Sequence, residues 1–168
     1  MGSGLDPELY PIIERNFRVA AGLSRESVST VSPNQILHVM SYNLLANRLA
    51  TLDKFSHTTR AVLHFSFRGP RIIKEIASSD ADVICMQELD RYHDFYQPQL
   101  EKLGFRVIHY KRPSFFKGDG IAVAYRTTAV ELVTYEEVDM NDLAGVYGTR
   151  SYSRDNQGML CLFKHLKS

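Results

Sequence analysis

Three polar residues stand beside apolar runs, where they could bind a metal ion or a phosphate group. Asn43 follows an apolar run at residues 36–42, and Glu88 follows a second run at residues 82–86. Asp119 comes just before a third apolar run. Open α/β sheets bind ligands beyond the carboxyl ends of their strands, so we expect Asn43 and Glu88 to converge on one site.

The residue types at this predicted site suit the binding of a metal ion and a phosphate group. Glu88 supplies a carboxylate, and Mg²⁺ prefers such hard oxygen ligands, taking one or two carboxylates beside water and substrate phosphate. Asn43 supplies an amide that can donate to a phosphate oxygen or a metal-bound water without adding negative charge. Each residue alone also has an ordinary explanation, because polar residues often begin loops and Asp-Gly pairs often form turns.

The spacing of apolar residues predicts two helices. One helix is predicted at residues 68–77, with Pro70 in its first turn, where a missing N–H costs nothing. The other is predicted at about residues 95–103, with Pro98 in its first turn or at a kink. Gly104 follows it as a residue suited to end a helix.

Short apolar or alternating runs predict the strands of the sheet. The predicted strands are residues 36–42, 82–86, 105–110, 121–125, 130–138 and 159–163. Residues 139–156 are polar and are predicted to form a loop, and residues 1–33 a flexible leader or linker. Early βαβ order followed by consecutive strands favours a mixed sheet in a layered α/β fold.

Composition bounds the partners and the compartment of the protein. The 168 residues carry 20 Lys and Arg against 19 Asp and Glu, a net charge of +1, so a polyanion would need a local basic patch. Both cysteines, Cys85 and Cys161, lie in apolar runs and are predicted to be reduced core residues of a cytoplasmic protein. Three arginines within residues 12–32 give a mitochondrial transit segment as the alternative, which two glutamates weaken. No apolar run reaches the roughly 20 residues that span a membrane.

Taken together in order and spacing, these features resemble the endonuclease/exonuclease/phosphatase superfamily. Within it the chain is similar to the carbon-catabolite-repression deadenylases, nocturnin and the Angel proteins, over about residues 37–165. The resemblance rests on Met40-Ser41-Tyr42-Asn43-Leu44-Leu45-Ala46, Phe67-Arg68, Ile72-Ile73, Asp82-Val83-Ile84-Cys85-Met86-Gln87-Glu88-Leu89-Asp90, Tyr92, Phe95, Gln97-Pro98, Leu100, Leu103-Gly104-Phe105, Asp119-Gly120-Ile121-Ala122 and Arg154-Asp155-Asn156-Gln157-Gly158.

The resemblance implies roles for particular residues. Glu88 would bind Mg²⁺, and Asn43 would act beside it near the metal and the scissile phosphate. A basic residue after the third strand would contact the substrate, and the sequence leaves open whether this is Lys111 or Arg112. Asp119 is also assigned to substrate binding.

The resemblance implies the N-terminal half of a four-layer α/β sandwich, with a mixed sheet and flanking helices, at residues 34–168. The implied activity is a magnesium-dependent 3′-to-5′ exoribonuclease acting on single-stranded RNA with an adenylate 3′ end. A nocturnin-like phosphatase acting on a dinucleotide such as NADP is one alternative, and a truncated inactive fragment or interaction module is another.

Three later motifs of the family are absent from the sequence: Asn-Thr-His, Gly-Asp-Phe-Asn and Ser-Asp-His. These motifs would supply the water-activating and leaving-group residues that phosphodiester hydrolysis needs beside a metal. We therefore expect the 168-residue chain alone to have little or no activity. We also expect a C-terminal half, or another chain, to cover an exposed face of its sheet.

Overall fold

A computed structural model describes residues 11–12, 16–19, 32, 35–114, 117–146 and 154–166. The predicted leader or linker at residues 1–33 lies almost wholly outside the described residues. The predicted domain boundary at residue 34 stays a prediction.

Six described strands form two sheets. They are β1 (Val39–Asn43), β2 (Val83–Leu89), β3 (Phe105–Lys111), β4 (Gly120–Arg126), β5 (Val130–Asp139) and β6 (Gln157–His165). The first sheet has the order β1-β2-β4-β3, with β1 parallel to β2 and with β4 antiparallel to both of its neighbours. An antiparallel hairpin of β5 and β6 forms the second sheet. The predicted mixed α/β architecture is confirmed.

Four described helices connect the strands. Between β1 and β2 lie α1 (Arg60–Leu63) and α2 (Phe65–Ser78), between β2 and β3 lies α3 (Gln97–Lys102), and between β5 and β6 lies α4 (Met140–Val146). A 3₁₀ turn at Asn47–Leu49 and a π-helical turn at Tyr92–Tyr96, which runs into α3, are also present. Pro98 lies in the first turn of α3, and Gly104 beyond its end has a positive φ of 83°, both as predicted.

The helix predicted at residues 68–77 is confirmed as α2, but the placement of Pro70 in its first turn is wrong. The α2 helix begins at Phe65, because the His64 side chain accepts from the Ser66 N–H and caps the start, so Pro70 lies inside the helix. The loop prediction at residues 139–156 is wrong in part, because this stretch contains α4, a single short helix with too few turns for a recognisable apolar period.

The first sheet is covered on both faces. Ile76 of α2 and Leu100 of α3 pack with Ile84 and Met86 of β2 on one face, and all four are at most 1% exposed. On the other face, side chains of β2 and β4 pack against the hairpin, with the Tyr125 and Phe163 rings 5.2 Å apart. Burial on both faces explains why residues 83–86 of β2 and 121–125 of β4 are continuously apolar rather than alternating.

The outer face of the hairpin exposes apolar side chains. Leu160 is 65% exposed, and Leu162 and Val133 are each 57% exposed. The expectation that a further segment or chain covers this face stays a prediction. None of the described helices is long and apolar enough to cross a membrane.

Candidate metal and phosphate site

The ends of four strands meet at one rim of the first sheet. Asn43 pairs with Gln87 at the end of β1, while Gly120 at the start of β4 lies opposite both Leu89 and Lys111. Paired strands are about 4.8 Å apart, so the predicted site residues are brought to one edge. The rim contains Asn43, Glu88, Lys111, Arg112 and Asp119.

A β-bulge sets the direction of Glu88. Met86 pairs with Ala122 and Leu89 pairs with Gly120, so β2 has one residue more than β4 in this interval. Glu88 has a φ of 54°, a left-handed conformation that is uncommon for a residue other than glycine. Bulges redirect a side chain out of the regular alternation of a strand. Leu89 accordingly packs into the helix-side core, and the Glu88 carboxylate is turned toward Asn43.

Two hydrogen bonds fix the orientation of the Asn43 amide. Its Oδ1 accepts from the Leu45 N–H at 2.9 Å, and its Nδ2 donates to Glu88 Oε1 at 2.9 Å. This arrangement confirms that Asn43 and Glu88 converge. Because one Nδ2 hydrogen is used, the second remains for a water or a phosphate oxygen.

The second carboxylate oxygen of Glu88 has the character of a cation ligand. Glu88 Oε2 is buried and has no hydrogen-bond partner among the described residues. A buried carboxylate oxygen without a partner is costly, and a bound cation would remove that cost. The described residues contain no group of three His, Cys, Asp or Glu side chains able to hold a metal. This sparse donor set fits Mg²⁺, which needs one or two carboxylates.

Arg68 holds the loop that follows β1. Its guanidinium donates to the Leu44 and Leu45 carbonyls at 3.1 and 2.9 Å, to the Leu63 carbonyl at 2.9 Å and to Asn47 Oδ1 at 2.9 Å. These bonds brace the turn whose Leu45 N–H orients Asn43. Arg68 therefore acts on the site through the backbone rather than by contact with a ligand.

Asp90 ties the same loop to the end of β2. Its Oδ2 accepts from the Asn47 N–H at 2.6 Å. Burial raises the pKa of Asp90, although this bond and the positive charge of Arg68 act in the opposite direction. The loop after β1 is thus fixed against the strand that carries Glu88.

Asp119 is enclosed by two arginines. Its carboxylate is fully buried, and Oδ1 accepts from Arg48 Nε and Nη2 at 3.1 and 2.7 Å, while Oδ2 accepts from Arg112 Nε and Nη2 at 3.2 and 2.9 Å. Burial tends to raise the pKa of Asp119, but the two arginines outweigh it and hold the pKa below its usual range. The carboxylate is ionised and neutralises only one of the two guanidinium charges.

The two basic candidates differ in their surroundings. Arg112 is also bonded through Nη1 to the Asp155 carbonyl and to Asn156 Oδ1, each at 2.9 Å. Lys111 is exposed and forms no ion pair within the part of the chain that the structure describes. No finding tests the predicted roles of Lys111, Arg112 and Asp119 in substrate binding, and the roles of Asn43 and Glu88 also stay predictions.

Two arginines of the site escaped the sequence analysis. Arg48 lies in a stretch without a clean period, so nothing placed it near Asp119. Arg68 was part of a segment that carried the family resemblance, but its position in the sequence gives no indication that it braces four loop oxygens. Both contacts join residues far apart in the sequence, with 71 positions between Arg48 and Asp119.

The chain matches one family model and several known proteins. Residues 40–162 match the model of the Endonuclease/Exonuclease/phosphatase family. The chain is 36% identical over 132 residues to protein angel homolog 2 of Homo sapiens, covering 75% of this chain and 23% of the relative. It is 28% identical over 155 residues to the CCR4-Not complex 3′-5′-exoribonuclease subunit Ccr4 of Neurospora crassa, covering 80% of this chain and 19% of the relative. The chain thus spans about a fifth of the length of these relatives.

Solved structures show the same likeness. A crystal structure of ANGEL2, described as a 2′,3′-cyclic phosphatase in complex with adenosine-2′,3′-vanadate, aligns with a TM-score of 0.63 at 35% identity, over 76% of this chain and 37% of that one. The human nocturnin catalytic domain aligns with a TM-score of 0.50 at 26% identity, over 61% of this chain and 37% of that one.

Proposed function

Because the chain belongs to the endonuclease/exonuclease/phosphatase family of hydrolases, we propose that it supplies the metal and phosphate site of a magnesium-dependent 3′-to-5′ exoribonuclease. The substrate is single-stranded RNA with an adenylate 3′ end. The observation that carries the proposal is the buried, unpartnered Oε2 of Glu88, which lies beside an Asn43 amide that still has a hydrogen to donate.

The residues at and beside the rim have different roles in this proposal. Glu88 would hold a Mg²⁺ ion, which would supply neutralisation of phosphate charge. Asn43 keeps the Glu88 carboxylate in place through Oε1 and directs its other N–H toward a phosphate oxygen. Arg68 and Asp90 keep the loop after β1 rigid, so that Asn43 is already in position before substrate arrives. Lys111 and Arg112 at the end of β3 attract the RNA backbone.

The exoribonuclease assignment is supported by the Ccr4 relatives, whose name states that activity. It is also supported by three basic side chains near the rim, Arg48, Lys111 and Arg112, in a chain whose net charge is only +1. Single-strand binding relies on basic side chains along the path of the backbone rather than on a basic protein overall.

Replacing Glu88 tests the proposal. In the protein expressed from its natural reading frame, we expect Glu88→Gln to slow shortening of 5′-labelled oligo(A) by about 100-fold or more, because the neutral amide is a poor Mg²⁺ ligand. Glu136→Gln, an exposed change on the hairpin, is the matched control and leaves the rate unchanged. Shortening that persists in Glu88→Gln, or the absence of magnesium-dependent shortening in the unmodified protein, would contradict the proposal.

A second candidate is hydrolysis of a terminal 2′,3′-cyclic phosphate. The alignment with the ANGEL2 complex supports it, because that protein is described as a 2′,3′-cyclic phosphatase. The same preparation should be assayed side by side on oligo(A), on oligo(A) ending in a 2′,3′-cyclic phosphate and on NADP. Loss of the cyclic group without shortening would favour the second candidate, and release of phosphate from NADP would favour the dinucleotide alternative.

A further inference from the structure

Arg48 and Arg112 both bind Asp119, but they differ in how many of their guanidinium N–H groups are used by protein acceptors. Arg112 is 17% exposed and uses Nε, Nη1 and Nη2 on protein acceptors. Arg48 is 40% exposed, and it uses only Nε and Nη2, both on Asp119 Oδ1. Its Nη1 has no protein acceptor within the described residues, so an N–H edge of the fork faces solvent.

We propose that Arg48 binds a phosphate group of the substrate, with Asp119 as the residue that positions its guanidinium. This inference rests on the proposed function, and it names the side chain that contacts the RNA backbone. A guanidinium donates two parallel N–H bonds to phosphate, and this geometry makes arginine effective at anion sites. One edge of the Arg48 guanidinium is fixed on the buried Asp119 carboxylate. The open edge therefore loses little conformational entropy when it binds phosphate.

The connections of Arg48 place it over the metal side of the rim. It lies in the 3₁₀ turn after β1, five positions beyond Asn43, yet it reaches Asp119 at the start of β4. In the sheet order, β2 lies between β1 and β4, and Gly120 pairs with Leu89 directly after Glu88. The Arg48 side chain therefore bridges the end of β2, the strand that carries the metal ligand.

The charge balance of this cluster favours an anion. One buried carboxylate faces two guanidinium groups, which leaves one positive charge in excess. The Glu88 carboxylate is offset when a cation is bound, so the excess charge at Arg48 remains for phosphate. Arg112 cannot take this role without giving up its bonds to Asp155 and Asn156. Among the described residues, Lys111 has no ion-pair partner that would hold its ammonium in place.

Binding of fluorescent oligo(A) in EDTA tests the inference without turnover. In the protein expressed from its natural reading frame, we expect Arg48→Ala to raise the Kd about tenfold and to reduce the salt slope by about 0.7, the value for one phosphate contact on a single strand. On a logarithmic scale, Arg48→Lys should restore less than half of the affinity that Arg48→Ala loses, because an ammonium cannot bind Asp119 and phosphate in the way that a guanidinium does. Arg106→Ala is the matched control, since it removes an exposed arginine from the other end of β3.

The outcomes separate this inference from the proposed function. Equal Kd and salt slope for Arg48→Ala and the unmodified protein would overturn the inference, whether or not hydrolysis occurs. So would a failure of the unmodified protein to bind oligo(A), or a loss of binding in Arg106→Ala as large as that in Arg48→Ala. If the protein binds oligo(A) through Arg48 and yet does not hydrolyse it, that result would support the inference and count against the proposed function. Thermal unfolding of Arg48→Lys checks that the loop is intact.

Discussion

At the scale of the residue, the conformation of Glu88 combines a backbone cost with one buried carboxylate oxygen, Oε2, that has no hydrogen-bond partner among the described residues. A left-handed conformation costs an L-residue roughly 1–2 kcal/mol, and an unsatisfied buried oxygen adds to this. Two unfavourable features at one side chain, next to an asparagine whose amide is fixed in orientation, are typical of a binding site and hard to explain as packing. These features support the proposal that Asn43 and Glu88 bind a ligand.

The backbone cost at Glu88 can be measured with a pair of substitutions. We expect Glu88→Gly to be more stable to urea than Glu88→Ala by about 1 kcal/mol, because only glycine adopts a positive φ without strain. At Glu131, an exposed position of β5 without a positive φ, the order should be reversed, since glycine in an ordinary strand costs about 0.5–1 kcal/mol relative to alanine. The same order at both positions would show that Glu88 is not strained.

At the scale of the element, the close approach of β3 and β4 sets the position of Asp119. A Cβ on Gly120 would lie 2.5 Å from the Tyr110 carbonyl oxygen and 3.1 Å from the Lys111 Cα. Both contacts are to backbone, which cannot move aside without opening the pairing of the two strands. Gly120 therefore keeps the start of β4, and with it the buried Asp119, against the end of β3.

Gly120→Ala should destabilise the protein by about 3 kcal/mol, at the upper end of the range for overpacking, because the strands must separate. Gly118→Ala is the matched control, since a Cβ there meets nothing within 4 Å, and we expect a change within about 0.5 kcal/mol. Urea unfolding of both variants gives the comparison. A Gly120→Ala variant as stable as the control would contradict the close packing of this strand pair.

The elements also show what the sequence could and could not predict. The short apolar runs with polar ends located β1, β2 and β4, and this pattern brought Asn43 and Glu88 to the same rim. The bulge at Glu88 was not predicted, because a one-residue excess in β2 depends on its pairing with β4 rather than on residues 86–89 alone. The contacts of Arg48 and Arg68 were missed for the same reason, since they depend on tertiary structure.

At the scale of the whole molecule, the first sheet lies between a helical layer and the hairpin, and Asn43 is exposed at its rim. The helix-side core extends to this rim through Leu89 and through Leu44, which follows Asn43. The rigidity of the site thus depends on the global fold. The free energy of unfolding of the protein therefore reports on groups near the rim.

His109 should make that stability depend on pH. Its ring stacks on Tyr92 with centroids 4.1 Å apart, and burial lowers its pKa to about 4, with further lowering from the charges of His93 and Lys111. The folded state therefore binds fewer protons than the unfolded state, in which the pKa is 6.5. Stability from this group is complete above pH 6.5 and is lost as pH falls toward about 4.

Urea unfolding across this pH window checks the assignment. We expect His109→Phe to lose stability less steeply than the unmodified protein as pH falls, because phenylalanine keeps the stacking and has no proton to gain. His57→Phe, at an exposed position, is the control and should follow the unmodified protein. Parallel pH profiles for His109→Phe and the unmodified protein would show that His109 is not buried as a neutral ring.

The most direct test of the account is Mn²⁺ binding, used as a paramagnetic substitute for Mg²⁺ and followed by electron paramagnetic resonance. We predict a site in the unmodified protein that Glu88→Gln abolishes, that Asn43→Ala weakens by about tenfold and that Glu136→Gln leaves intact, because Asn43 orients the Glu88 carboxylate through one hydrogen bond. Equal Mn²⁺ affinity in Glu88→Gln and the unmodified protein would contradict the metal site on which the proposed function depends.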